Sequence, residues 1–148
     1  MLITITRVDA KVPRQVGFTR MLGFPVEFSA GTTSGTAIFV PASGQSDGLL
    51  GQSFHVEIDQ EVVSDLRIVG ADAQEEFSSL GERGSFRVCG VVSTVVPLSE
   101  PTGAEIISVT ASDAMITISK DDLGEARPSK GDKLMFTVRE VSLWDEAI

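Results

Sequence analysis

Tyrosine is missing from this 148-residue chain, and cysteine, histidine and tryptophan occur once each. A single cysteine excludes an internal disulfide framework, and one Cys with one His excludes a zinc site built from clusters of those residues. Basic side chains are also scarce. Twelve Lys and Arg stand against 21 Asp and Glu, a formal charge of −9, which disfavours a protein that grips phosphate backbones. No apolar run approaches the roughly 18–20 residues of a spanning helix. The Gly-x-Gly-x-x-Gly fingerprint and the P-loop are both missing, and Gly31-Thr-Thr-Ser34-Gly35 has the wrong spacing for a nucleophile elbow. No cofactor, no metal, no membrane and no sequence-specific nucleic acid is therefore expected.

What is present suits a packed core. Apolar residues make up 42% of the chain and charged residues 22%, in a length that fits a single β domain over 1–148. Alternation with a period of two dominates. In Ser53–Asp59, Phe54, Val56 and Ile58 point one way and His55, Glu57 and Asp59 the other, as a half-buried strand requires. Ser85–Val96 places Phe86, Val88, Val92 and Val96 on one face, with Gly90 marking a bulge or bend. Glu105–Thr110 and Ala114–Ser119 flank Ala111-Ser-Asp113 as a hairpin, and Lys133–Leu143 reads as a strand. Leu2–Val8, Pro25–Phe28 and Thr36–Val40 complete the set. Thr4 and Thr6 interrupt the first run, which makes it a strand of the fold instead of a signal peptide, and cytoplasmic synthesis without export is expected.

One helix is predicted over about 72–80. Asp72 and Glu75 have capping-box spacing, Ala73, Phe77 and Leu80 share a face, and Gly81 suits the C-terminal cap. Residues 31–35 and 42–52 read as loops, and 1–20 as an N-terminal arm. The fold class is accordingly all-β, a small barrel or sandwich with one short inserted helix.

Charge is unevenly spread. Residues 1–44 carry Arg7, Lys11, Arg14 and Arg20 against Asp9 and Glu27, while the remainder carries a balance of −11. The densest acidic stretch, 57–82, sets eight carboxylates against Arg67 alone. A solvated acidic surface accounts for it; complementarity to a basic partner or to a neighbouring copy is the sharper alternative.

Candidate chemistry is thin. His55 shares a strand face with Glu57 and Asp59, but a general base needs a nucleophile or substrate within reach, and none is marked. Cys89 has only Arg87 nearby to favour a thiolate, and a packing role suits it better. Lys120-Asp-Asp-Leu-Gly124-Glu lacks the alternating oxygen ligands of a calcium loop and reads as a turn. Residues 85–143 have the cadence of an oligonucleotide-binding barrel, without the basic groove and stacking aromatics that single strands require. Trp144 either closes the core or anchors an interface, the first reading having the edge.

Two stretches carry a resemblance. Ile116-Thr-Ile118-Ser-Lys120-Asp-Asp-Leu-Gly124, then Pro128-Ser-Lys-Gly131-Asp-Lys-Leu134 and Phe136-Thr-Val138-Arg-Glu-Val141, is similar to the small head–tail joining (neck) proteins of tailed bacteriophages. In that pattern a strand ends at an Asp-Leu break, a Pro-x-x-Gly-Asp turn follows, and an aromatic-x-Val strand restarts the sheet. Phe24-Pro-Val-Glu-Phe28, ahead of a Gly/Thr loop and Thr36–Val40, resembles their N-terminal region. The resemblance implies a non-enzymatic structural subunit of a virion, in the head–tail joining region or the tail. Such a subunit would form a ring of copies through heterologous contacts and meet neighbouring virion proteins. The interface candidates are Arg7, Lys11, Arg14, Arg20, Glu57, Asp59, Glu61, Leu143 and Trp144. The alternative is an acidic inhibitor or immunity protein in the cytoplasm. It would cover a basic toxin nuclease with Glu57, Asp59, Glu61, Asp65, Glu75 and Glu76 in the place of phosphates.

Overall fold

A computed structural model describes residues 1–11, 13–17, 19–97 and 105–147. Of the described residues 59% are in strands and 3% in helix, and they contain a closed five-stranded barrel. Twelve strands follow one another among the described residues: β1 (Leu2–Val8), β2 (Arg14–Gln15), β3 (Leu22–Ala30), β4 (Thr33–Val40), β5 (Ser53–Asp59), β6 (Val62–Val69), β7 (Glu76–Ser79), β8 (Phe86–Pro97), β9 (Glu105–Ala111), β10 (Ala114–Ser119), β11 (Lys133–Arg139) and β12 (Ser142–Asp145). A short 3-10 turn, Lys120–Leu123, lies between β10 and β11.

The barrel runs β1-β5-β12-β4-β3 and closes where β3 pairs back onto β1. Every pairing in it is antiparallel except β4 with β12, where Ile38 faces Ser142 and Val40 faces Trp144. Closure depends on the C-terminal strand, which crosses from the second sheet to fill the gap between β4 and β5. β2 adds only Arg14 and Gln15 to the start of β3.

The second sheet, β10-β9-β8-β11-β6, is inserted between β5 and β12. Its long central strand β8 pairs with β11 on one edge, and with β7 and then β9 on the other. The sheet curls, so that its outer strands β6 and β10 both approach the 3-10 turn, whose Leu123 is buried.

Both layers share one hydrophobic core. Phe86 of β8 stacks on Phe77 of β7, with ring centroids 4.6 Å apart, and lies 5.9 Å from Phe28 of the barrel. Burying three such rings supplies a large share of the apolar area that holds sheet and barrel together. At this joint Gly84 has φ +71°; its N–H donates to Thr36 O at 2.7 Å and its carbonyl accepts from Val141 N–H at 3.1 Å. A side chain there would press on the backbone of Val141 at 3.0 Å, so the two layers are sewn together at a glycine.

Three expectations are corrected. Residues 72–80 form no helix. Gly70–Ala73 is a turn, closed by Ala73 N–H to Gly70 O, and Glu76–Ser79 is strand β7. An isolated helix of two turns is marginal by itself, whereas the same Phe77 buried against Phe86 completes a sheet. The single strand foreseen over Lys133–Leu143 is two. Glu140 takes φ +54°, which breaks the run and sends β12 into the other sheet. Finally, Leu143 is fully buried in the core and is no interface residue. Of the 1–20 segment, Leu2–Val8 is a barrel strand, so only the chain beyond it is left as an arm, held on β3 by β2 and the buried Val16. The 42–52 loop is anchored by Leu49, which is buried, and by Gly51 N–H to Ile5 O and Ile5 N–H to Gln52 O.

Candidate functional site

A groove of about 780 Å³ lies at one end of the barrel, where the two layers meet. Four pieces of chain build it: the β3–β4 hairpin tip (Thr32, Thr33, Ser34), the segment entering and forming β7 (Ala73–Ser79), Ser112 of the β9–β10 turn, and Met135 of β11. Its floor is Phe77, buried because it stacks on Phe86. Thr33 Oγ1 donates to Phe77 O at 2.7 Å, tying hairpin tip to strand. Its walls are rich in hydroxyls and carry two carboxylates. Glu75 Oε2 accepts from the Ser112 backbone N–H at 3.1 Å, and Glu76 Oε2 accepts from Ser78 Oγ at 2.9 Å. Among the described residues no lysine or arginine lines the groove. Lys133, nearby, directs its ammonium to the carbonyls of Ala71 and Ala73.

A second cleft, about 400 Å³, lies at the opposite end, between β2 and the turn that joins β11 to β12. It brings together three residues the sequence singles out, Arg14, Asp59 and Glu61, and adds Arg83 and Glu140. The Glu61 carboxyl is held above the ordinary glutamate value, first by its hydrogen bond to Glu140, then by that neighbour's charge, slight burial and the Asp59 charge. A raised value is the expected response of a carboxyl placed beside like charges.

The other candidates fall apart in space. Arg7 is exposed and pairs with Glu27 at 3.2 Å, both ends in solvent, a contact worth little. Lys11 and Arg20 are exposed on the arm, and Glu57 is exposed on the outer face of β5. Trp144 is half-buried and donates its Nε1–H to Ser142 Oγ at 2.9 Å. His55 stands exposed opposite Leu2, while Cys89 is buried in the second sheet between Glu76 and Met135. Burial raises the Cys89 thiol above its ordinary value, so its location favours the unreactive form. Among the described residues, no group of three His, Cys, Asp or Glu side chains is placed to hold a metal ion.

Sequence reasoning missed the groove. Its one signal was Glu75-Glu76 beside Phe77, which the helix reading placed on a solvated face. Thr32–Ser34 and Ser112 come from turns far away in sequence, and only the fold brings them to the same place.

No known family model, curated protein or solved structure matches this chain. No helix among the described residues is long and apolar enough to cross a membrane.

Proposed function

We propose that this protein is a non-enzymatic structural subunit of a tailed-phage virion, in the head–tail joining region or tail, that assembles with copies of itself in a ring. The observation that carries this reading is the scatter of exposed apolar side chains over several faces. Leu2 on the barrel is 52% exposed, Leu50 in the loop 64%, and Met115 on edge strand β10 59%. Val62 and Ile68 on the opposite edge strand β6 add a further face. Single exposed hydrophobics are ordinary; several faces of them, with two sheet edges, suit a subunit that has neighbours on more than one side.

The longer stretch that carries the neck-protein resemblance, 116–141, folds as one continuous piece, while Phe24–Phe28 lies on barrel strand β3. Asp121–Gly124 is the 3-10 turn and its exit; Ser129–Asp132 is a tight turn closed by Asp132 N–H to Ser129 O; and Phe136 and Val138 are buried on β11. Gly131 N–H and Asp132 O pin that turn to Val92 of β8. The inhibitor reading draws less support, because three of its six carboxylates lie among cations. Asp59 and Glu61 share a cleft with Arg14 and Arg83, and Asp65 shares one with Arg67 and Arg87.

Light scattering after size exclusion, on untagged protein over a range of concentrations, tests the proposal. Mass at a multiple of 15.7 kDa, with rings in negative stain, is the expected result. A monomer at every concentration that gains mass only on adding a basic nuclease would favour the inhibitor.

A further inference from the structure

The two ends of the barrel differ in charge: one holds Glu75 and Glu76 in a groove with no cation among its described lining residues, the other holds exposed cations beside Asp59, Glu61 and Glu140. At one end lies the acidic groove. At the other, the arm from Asp9 to Met21 projects Lys11, Arg14 and Arg20, all exposed, and is joined to the barrel by the two-residue strand β2. Among the described residues the one ion pair is Arg7 with Glu27, and Lys11 and Arg20 form none. The arm's single acid, Asp9, accepts from the Lys11 backbone N–H at 3.1 Å.

Geometry decides where the arm's charge could be met. The arm is fixed beside Leu22 and Gly23 at the start of β3, and the groove opens beyond Ala30 at its end. At roughly 3.3 Å per residue the strand separates them by about 26 Å. The chain's own arm, held by β2, therefore sits at the wrong end to fill its own groove. A second copy placed end to end brings arm and groove together. A contact between different surfaces of identical chains repeats from copy to copy, closing a ring or extending a filament.

We infer that the hydroxyl-lined acidic groove between the β3–β4 tip and β7 receives the basic 9–21 arm of a second copy of this chain, head to tail. Glu75 and Glu76 meet the cations, and the hydroxyls of Thr32, Ser34 and Ser78 meet the arm's polar groups. The groove's volume is in the range of specific binding clefts. Paired opposite charges steer the encounter and set its direction more than they set raw affinity. The inference rests on the self-assembly part of the proposed function.

The test uses two charge-reversed variants of the full chain: Glu75→Lys with Glu76→Lys, and Lys11→Glu with Arg20→Glu. Every altered side chain is exposed or half-buried, and circular dichroism and thermal melting verify that each variant folds. Masses are read by light scattering at low salt. The wild type is expected to be oligomeric, each variant alone to fall to the 15.7 kDa monomer, and an equimolar mixture to regain mass above the monomer. The mixture restores opposite charge at both ends of every contact. If folded variants keep the wild-type mass, or the folded mixture stays monomeric, the arm–groove contact is wrong while the self-assembly reading stands. A wild type that is monomeric at every concentration overturns both.

Discussion

The barrel and the inserted sheet reach a buried core by opposite routes. The barrel leaves no edge, and it achieves this with a strand from the far end of the chain: Ser142–Asp145 pairs with Ile38–Val40 on one side and Val56–Asp59 on the other. The inserted sheet is assembled from local hairpins such as β9–β10, curls around a 3-10 turn, and keeps outer strands with exposed Val62, Ile68 and Met115. Closure removes open backbone groups from the barrel; the sheet and the groove beside it retain the surfaces that neighbours can use. The difference is one of closure: the barrel pairs all of its strands, while the inserted sheet ends in the outer strands β6 and β10.

The largest effect should come from breaking the joint. Phe86→Ala removes the ring that stacks on Phe77 and approaches Phe28, and should destabilise the fold by about 3–5 kcal/mol in urea unfolding. Trp144, the one tryptophan, reports on the barrel by fluorescence, while circular dichroism reports on both layers. The two probes should move together, since both layers share one core. A barrel transition separate from that of the sheet would break the comparison.

Next comes a change confined to the sheet. A methyl group on Gly90 would sit 2.6 Å from Thr110 O and 2.8 Å from Val109 Cγ1, so Gly90→Ala must push β9 from β8. Overpacking of this kind costs about 1–3 kcal/mol, and hydrogen exchange should quicken in β9 and β10 more than in β1 and β5. A smaller effect of opposite sign is expected at the β9–β10 turn. Ser112 holds φ +52°, so Ser112→Gly should stabilise by about 1 kcal/mol, seen as a higher urea midpoint.

The smallest effect concerns the Glu61–Glu140 pair at the arm end. Because the Glu61 value is raised in the fold, the folded state favours the protonated carboxyl. Its contribution is fully present below the ordinary glutamate value of 4.5 and is lost as pH rises through the raised value. Glu140→Gln removes the main cause, so the variant should gain stability relative to wild type above pH 4.5 and match it more closely below. Urea midpoints on both sides of that pH measure the difference, which is small because the site is exposed.

How much of this was legible followed from range in sequence. Leu2–Val8, Ser53–Asp59 and Ala114–Ser119 alternate cleanly, and their strands have those same bounds. Each has one buried face, so the period of two is written in the residues. Val62–Val69 was hidden among acids because, as an edge strand, it has little buried face to mark it. The segment at 72–80 carried genuine helix signals, and tertiary burial of Phe77 overrode them. Leu143 looked available beside a charged C-terminus, yet it fills the barrel because β12 enters from the other sheet, a crossing that no local pattern announces. The groove is invisible for the same reason, being lined by a hairpin tip, the β7 segment, a turn and a β11 residue that are distant in sequence. The charge asymmetry between the arm and the rest is legible in the sequence; the fold sets the arm's cations at one end, beside Asp59, Glu61 and Glu140, and Glu75 and Glu76 at the other.

Hydrogen exchange read by mass spectrometry, on wild-type protein diluted to monomer and concentrated to oligomer, tests the central claim most directly. The account predicts that concentration slows exchange in 9–21 and in 73–79, and leaves barrel strands β1 and β5 unchanged. Protection gained on β1 and β5, with none at the arm or the groove, would contradict it.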